Sequence, residues 1–547
     1  MTLPVRDRQA SFFDVSFLAE DLFGPTDPYS LFRQEILPAL EAKRQDLCRM
    51  YCADNGRTSI EPVILAGVTL LQFMETAPDR RAGQNVRLHL GWKHALDLPV
   101  NYQGFHATNL VHFRDRLLEH DQERLAFDAI LKQLHRKGLV KRAGKQRLDS
   151  THILGLVSRM SRLELTRETI RLFLEAVQRL GLQDKLAGWD QLRDRYIESD
   201  IPWHKLSKER LIEKFQEAGA DMWDLVRWSK DQPTLLDHEK TQLLKRVFDE
   251  QFEVCDQKAT VRKTEISGGV KNPHDPDAQW SSKDTANKTA WVGYKAQIAE
   301  TVPDAQDAST QPEGQPTRGF ITEVTTTEAI ASDFAGRREV ENNQQEHGLG
   351  SAEELYVDAG YVNDDVLAEA AEQGRRLMGP ARPSCNQSGG QSAKLFKADE
   401  FDVSVADRRA VCPAGQTSTQ CSRLEDEKTG QVCYRFEWSY QCDECSLKAQ
   451  CTKALSGRRM LVVGEYHDHL QDRRRQMQTE AFKRAMHQRN AIEGTISEFA
   501  RGGGRRTRYR GLVKTSLANY FHGAAINVKR WIRLMQYQMG QEVAVAV

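Results

Sequence analysis

The chain has 547 residues, with 77 Lys plus Arg balanced by 77 Asp plus Glu, so its formal net charge is zero. That length predicts two to four structural units, and an apolar fraction of 39% allows a sizeable core. No apolar run is long enough to span a bilayer and the first residues lack a secretory h-region, which argues against a membrane or secreted protein and predicts a cytosolic one.

Helices dominate the first stretch, from about Ser30 to Glu119. Pro62 to Met74 is an apolar run of helical length, and Asn85 to Leu96 follows as a further helix with mixed spacing. From Thr108 to Leu118, the apolar residues Leu110, Val111, Phe113, Leu117 and Leu118 recur at helical period, which places Arg114 and Arg116 on the outer face. Residues 1–130 therefore read as an all-helical N-terminal domain, suited to DNA binding or to dimerisation. A short strand carrying Asp149 is expected within 140–160. Residues 162–255 turn strongly helical until Gly268, Gly269 and Pro273 break the pattern. Strand signals return at Ala290 to Ile298 and at Gly319 to Thr326, separated by a polar loop at 304–318. A helix over 329–345 precedes a buried strand, Glu354 to Asp358, that ends in a carboxylate and a glycine turn. Another helix (364–372), a short strand (376–380) and a linker-like stretch (384–392) follow. The chain closes with helices over 473–499 and 516–538, flanking a basic loop.

Three groups of residues carry chemistry. From Arg501 to Gly540 there are nine Lys or Arg and no Asp or Glu, so charge is segregated although the whole chain is neutral. Arg501, Arg505, Arg506, Arg508 and Arg510, with Lys514 just beyond, suit a polyanionic backbone, because guanidinium forks hold phosphates bidentately. Six of ten cysteines fall between Cys412 and Cys451. Cys412, the knuckle Cys442-Asp-Glu-Cys445, and Cys451 offer four thiolates for a structural Zn²⁺, with Cys421 and Cys433 as competing ligands. A set of buried, reduced cysteines is the alternative. The third group is Asp149, Asp358 and Glu493, on the first strand, the fourth strand and a late helix. Singly, each reads as a turn, cap or solvated residue; Glu498 is the rival for the third position. Arg489 lies four residues before Glu493, on the same helical face, and can bind a phosphate.

With the two inserts removed, the order is strand, strand, strand, helix, strand, helix, strand, helices, which is that of a ribonuclease H-like domain. Leu148-Asp149-Ser-Thr, Tyr356-Val-Asp358-Ala-Gly-Tyr and Arg489-Asn-Ala-Ile-Glu493-Gly, followed by Arg506-Thr-Arg-Tyr-Arg-Gly511 and Asn527-Val-Lys-Arg, resemble the DDE transposases of bacterial insertion sequences, in the IS-eleven-eighty-two-like branch. The run from Pro62 to Leu117 is similar to the helical N-terminal domain of that family, and Asp275-Pro-Asp-Ala278 and Gly293-Tyr-Lys295 fit its segment after the first insert. The helix departs from the family pattern in having Met486 where Tyr is expected and Ala500 where Lys is expected.

The resemblance implies an α/β, RNase H-like mixed-sheet core (140–160, 256–383, 473–547) interrupted by a helical insert (162–255) and a zinc-ribbon-like insert (384–472). It implies that Asp149, Asp358 and Glu493 hold Mg²⁺ or Mn²⁺ for cleavage and strand transfer of double-stranded DNA, at transposon ends and target. It further implies a homodimer or higher assembly on DNA, no membrane partner, and a nucleoid-associated location. The rival functions are a metal-dependent nuclease without strand transfer and a catalytically silent DNA-binding relative.

Overall fold

The computed structural model describes residues 3, 13–18, 20–52, 56, 58–198, 206–283, 289–303, 319–382, 395–425 and 430–546. The predicted loop at 304–318 and the linker-like stretch at 384–392 lie outside the described residues.

A mixed sheet organises the chain. Its first strand, β1, runs Gln146–Leu154. A hairpin, β2 (Phe252–Cys255) with β3 (Lys258–Val261), stands apart from it. The sheet continues with β4 (Gln279–Ser282), β5 (Ala290–Thr301), β6 (Ile321–Glu328), β7 (Glu354–Tyr356) and β8 (Arg376–Met378). The order is β4-β5-β1-β7-β8, with β6 also pairing β5. β5 is antiparallel to β1 and to β6, whereas β7 is parallel to both β1 and β8. Parallel neighbours need crossovers, and two helices provide them: Asp333–Glu346 between β6 and β7, and Asp364–Glu372 between β7 and β8. Both start where the sequence offers a cap. Ser332 accepts from the Ala335 N–H, and Asn363 accepts from the Val366 N–H.

The two faces of the sheet bury different partners. Leu148 and Ala299 pack with Val340, Val366 and Leu367 of the crossover helices. Ile153, Tyr294, Ile298 and Val324 pack with Phe127 of the N-terminal helices and with Phe521 and Trp531 of the last helix, Leu512–Ala546. One hydrophobic core is thus shared by the first 140 residues and the sheet.

Helices Pro62–Met74, Thr108–Glu119 and Leu125–Arg136 follow the apolar spacing. The helix expected over 85–96 is instead two, Asp79–Leu88 and Leu90–Ala95. His89 adopts extended backbone between them and its ring accepts from the Trp92 N–H, capping the second. Arg114, placed on an outer face by periodicity, is buried, because its guanidinium grips Asp79 at 2.7 Å. Arg116 lies over the Tyr51 ring.

The segment after β1 is a helical bundle built from Arg162–Arg179, Lys208–Ser229 and Glu239–Gln251 around Phe173, Met222 and Phe248. A small β-rich module carries the cysteines: β9 (Asp402–Ser404) pairs β10 (Arg409–Val411), and β11 (Gln420–Glu425), β12 (Val432–Glu437) and β13 (Met460–Gly464) form an antiparallel sheet. Phe401, Phe436, Trp438 and Leu461 make its own core. The helix expected over 473–499 begins earlier and divides at Thr479 into His467–Met477 and Glu480–Phe499; the Thr479 hydroxyl accepts from the Phe482 N–H and caps the second. Among the described residues, no helix is long and apolar enough to cross a membrane.

Candidate active site

Arg147 of β1 pairs with Tyr356 of β7, and Asp149 and Asp358 each lie two residues beyond that last paired position. Asp358 lies just past the end of β7, where its Oδ1 accepts from the Gly360 N–H at 2.7 Å. A third carboxylate, which the sequence did not single out, joins them: Asp333, the first residue of the crossover helix. A Cβ on Gly360 would lie 2.7 Å from Asp333 Oδ2 and 2.8 Å from Asp358 Oδ1, so glycine at 360 keeps the space between the two acids open. Lys295 of β5 approaches Asp333 at 3.4 Å, and the Ser150 hydroxyl lies 3.5 Å from it.

Burial pushes the Asp149 carboxyl above the usual aspartate range, and the charges of Asp358 and Asp333 add to that shift. The Ser150 N–H and the Arg489 guanidinium oppose it. Arg489 Nη2 donates to Asp149 Oδ2 at 2.8 Å, and Arg489 Nη1 lies 3.9 Å from Glu493. Glu493 itself is 71% exposed, one helical turn along from the arginine that faces Asp149. Glu498 points elsewhere: it accepts from Arg530 at 2.9 Å.

Beneath these residues lies a buried polar network. Arg147 donates to the Gln488 carbonyl at 2.9 Å and to Glu300 at 2.5 Å. Glu300 also accepts from Arg530 at 2.8 Å and from the Thr495 hydroxyl at 2.6 Å. β1, β5, the Glu480–Phe499 helix and the last helix are joined there.

The basic loop docks beside the same strand. The Leu154 N–H donates to the Arg505 carbonyl at 2.8 Å, and the Thr507 N–H donates to the Leu154 carbonyl at 3.0 Å. The Arg505 guanidinium contacts the His152 ring at 2.9 Å. Burial, with Arg505 and Lys283 nearby, pushes the His152 imidazole down to about 4, so it is neutral near pH 7. Asp275 and Asp277 hold the far end of the loop, accepting from the N–H groups of Gly511 and Leu512. Arg501, Arg505, Arg506, Arg508 and Arg510 are all exposed. Lys514 is half exposed and pairs with Asp115 at 2.9 Å.

This arrangement sets a carboxylate cluster at the edge of a cationic surface. Residues 18–116 match a family model described as a transposase domain, and residues 411–532 match one described as a transposase DDE domain. Together these matches support an insertion-sequence DDE transposase. No curated protein and no solved structure matches it. In this transposase the DDE match takes in Arg489, Glu493, the basic loop and all six clustered cysteines, while Asp149 and Asp358 lie ahead of it.

Among the described residues, no three His, Cys, Asp or Glu side chains converge closely enough to hold a metal ion as they stand. The donor chemistry at β1 and β7 still suits a hard divalent cation, since it consists of carboxylate oxygens around an open, glycine-lined space. In the cysteine module, Cys412, Cys442, Cys445 and Cys451 line one cavity, and Cys421 and Cys433 are not among its lining residues. Two tight turns present three of these thiols: the Gly415 N–H donates to the Cys412 carbonyl, and the Cys445 N–H to the Cys442 carbonyl. Burial pushes the Cys451 thiol up to about 11, with the other three cysteines adding and Arg459 opposing.

Proposed function

We propose that this transposase cleaves DNA strands at the ends of its element and transfers them to target DNA, in a reaction that depends on a divalent metal. The observation that carries this reading is the placement of Asp149 on β1 and of Asp358 just past the end of the adjacent parallel strand β7, near enough for its charge to raise the Asp149 pKa, beside a loop of exposed arginines. The strand order β6-β5-β1-β7-β8, antiparallel on one side of β1 and parallel on the other, supports an RNase H-like core split by the helical and cysteine-bearing inserts. The order of the motifs supports placement in the IS-eleven-eighty-two-like branch.

Asp149, Asp358 and Glu493 are the residues that would hold Mg²⁺ or Mn²⁺. Such a cation supplies charge neutralisation at the phosphate under attack and lowers the pKa of the attacking hydroxyl group. The protein's own residues do the rest. Arg489 neutralises Asp149, and it is near enough to Glu493 to be drawn towards that carboxylate when Asp149 is otherwise engaged. Arg501, Arg505, Arg506, Arg508 and Arg510 bind the phosphates flanking the scissile bond and so set its register, with Lys514 beyond them. Holding the scissile phosphate against a fixed strand end converts an improbable encounter into an oriented one. In cleavage, water attacks the scissile phosphorus as its bond to the 3′ oxygen breaks, leaving a 5′-phosphate on one strand and a 3′-hydroxyl on the other; that hydroxyl then attacks a target phosphate and displaces the target's own 3′ oxygen. Joining two ends in one reaction calls for a dimer or larger assembly on DNA. Cys412, Cys442, Cys445 and Cys451 would hold a structural Zn²⁺, a reading supported by the one cavity that all four line.

The test is Mn²⁺-dependent cleavage of a labelled element-end duplex by wild type and Asp358→Asn, with target DNA added in a second arm. Cleavage and a joined product from wild type alone are expected. Cleavage without joining points to a nuclease. Equal cleavage by both proteins removes Asp358 from the site, and tight binding without cleavage by either identifies a silent DNA-binding protein.

A further inference from the structure

The turn that carries Asp358 is tied back to the sheet by one side chain. Ala359–Tyr361 forms a single tight helical turn, opened by the Asp358 cap on the Gly360 N–H. At its end the Tyr361 ring is fully buried, in the core that includes Leu148, Ala299 and Val340. Its hydroxyl donates to Gln297 Oε1 of β5 at 2.5 Å. Gln297 pairs with Ser150 in the β1–β5 register, and the Ser150 hydroxyl is a second hydrogen-bond partner of the phenol. Ser150 follows Asp149, and its N–H donates to Asp149 Oδ1 at 2.7 Å. One phenol group therefore links the turn behind Asp358 to the residue behind Asp149.

Stability alone does not account for this link. Gln297 is fully buried, and its Nε2 donates to nothing among the described residues. The amide lies against the Asp333–Glu346 helix, where a Cβ on Gly336 would overlap Nε2. An orphaned buried donor is costly, and an apolar side chain of similar size would fill the same space without it. What the amide adds is an acceptor that fixes the phenol. Burial and the charges of Asp333, Asp149 and Asp358 push the Tyr361 hydroxyl well above the usual phenol range, so it stays a neutral donor while the carboxylates ionise. We propose that Tyr361 is a positioning residue: through Gln297 and Ser150 its hydroxyl sets the separation of Asp149 and Asp358, and so their joint hold on a divalent cation. Carboxylates already held at a fixed separation bind a cation without a further ordering cost, and outer hydrogen-bonding partners that orient ligands in this way raise metal affinity about tenfold or more.

This role rests on the metal-binding reading of the site, and its test separates the two. The Mn²⁺ affinity of the full-length chain is measured without DNA by electron paramagnetic resonance, counting the binding that Asp358→Asn removes. Tyr361→Phe keeps the ring in its core and removes only the hydroxyl. It is expected to weaken that affinity by about tenfold, with the melting temperature of the metal-free chain little changed. Gln297→Met, which takes away the acceptor from the other side, is expected to weaken it several-fold. Val362→Ala loosens the same core but leaves the hydroxyl in place, so it is expected to lower the melting temperature while Mn²⁺ affinity holds. The proposal is overturned if Tyr361→Phe binds Mn²⁺ as wild type does, or if Gln297→Met does so where Tyr361→Phe fails to fold. It is also overturned if Val362→Ala weakens binding as much as Tyr361→Phe, since loosened packing then accounts for the effect. Wild type without Mn²⁺ binding sensitive to Asp358→Asn overturns the metal-site reading itself, and the role of Tyr361 with it.

Discussion

At the scale of single residues, the proposed chemistry turns on a carboxyl that sits uneasily in its place. Asp149 is half-buried near two other acids, and only Arg489 and the Ser150 N–H draw its pKa back down. Its proton is held to higher pH in the folded chain than in the unfolded one. Its contribution to stability is therefore full below the unfolded pKa and is lost as pH rises through the folded one. The ionised form needed to bind a cation is thus gained at a cost in stability. The acid limb of the cleavage profile is expected to lie above the ordinary aspartate range. Arg489→Gln removes an opposing cation and is expected to move that limb further up, which a pH–rate profile under single-turnover conditions measures. A limb that stays in place, or moves down, would falsify the role given to this ion pair. Asp149, Asp358 and Glu493 were singled out in the sequence because each sits in a recognisable string. Asp333 was not, because an acid in the first turn of a helix is common and only the tertiary fold brings it to Asp358.

At the scale of elements, the question is what holds the Glu480–Phe499 helix at the right height over β1. The buried network of Arg147, Glu300, Thr495 and Arg530 does this, with Arg147 tied directly to the Gln488 carbonyl, one residue before Arg489. Glu300 is fully buried and shared by Arg147 and Arg530, so removing Arg147 leaves its charge only partly compensated. Arg147→Met is expected to cost about 3–5 kcal/mol of stability, the usual penalty for breaking a buried pair. Arg147→Met combined with Glu300→Leu is expected to recover much of that loss in denaturant unfolding. Cleavage by the double variant should nevertheless remain slow, because the anchor to Gln488 is gone; full recovery of both properties would sink the positioning role. The helices themselves were legible from apolar period, as were β5, β6 and β7 from β-branched and aromatic content. β4 and the β2–β3 hairpin were missed, since strands of four residues carry too little alternation to register. The breaks at His89 and Thr479 were missed because each is made by one capping side chain, which leaves the helical period almost undisturbed.

At the scale of the whole molecule, burial divides differently from sequence. The N-terminal helices and the sheet share one hydrophobic core, a fusion that periodicity within each segment does not reveal. The helical bundle and the cysteine module each have a core of their own. For the cysteine module that core is small, eight buried residues led by Phe436 and Trp438, so the proposed zinc would contribute a large share of its stability. Chelation of zinc is therefore expected to unfold this module at a lower temperature than the rest of the chain, giving a separate calorimetric transition. Amide exchange should rise across β9 to β13 while β1 and β5 stay protected. Cys445→Ser is expected to release the zinc, counted with a chromogenic chelator, whereas Cys433→Ser on β12 should retain about one ion per chain. Retention by both variants would place the metal elsewhere. A chain purified without zinc whose module shows unchanged stability would make the cavity between the four thiols an ordinary reduced cysteine cluster. Because the module separates β8 from the helix that carries Arg489 and Glu493, its unfolding should also slow cleavage, through the freedom it gives that helix rather than through any contact with DNA.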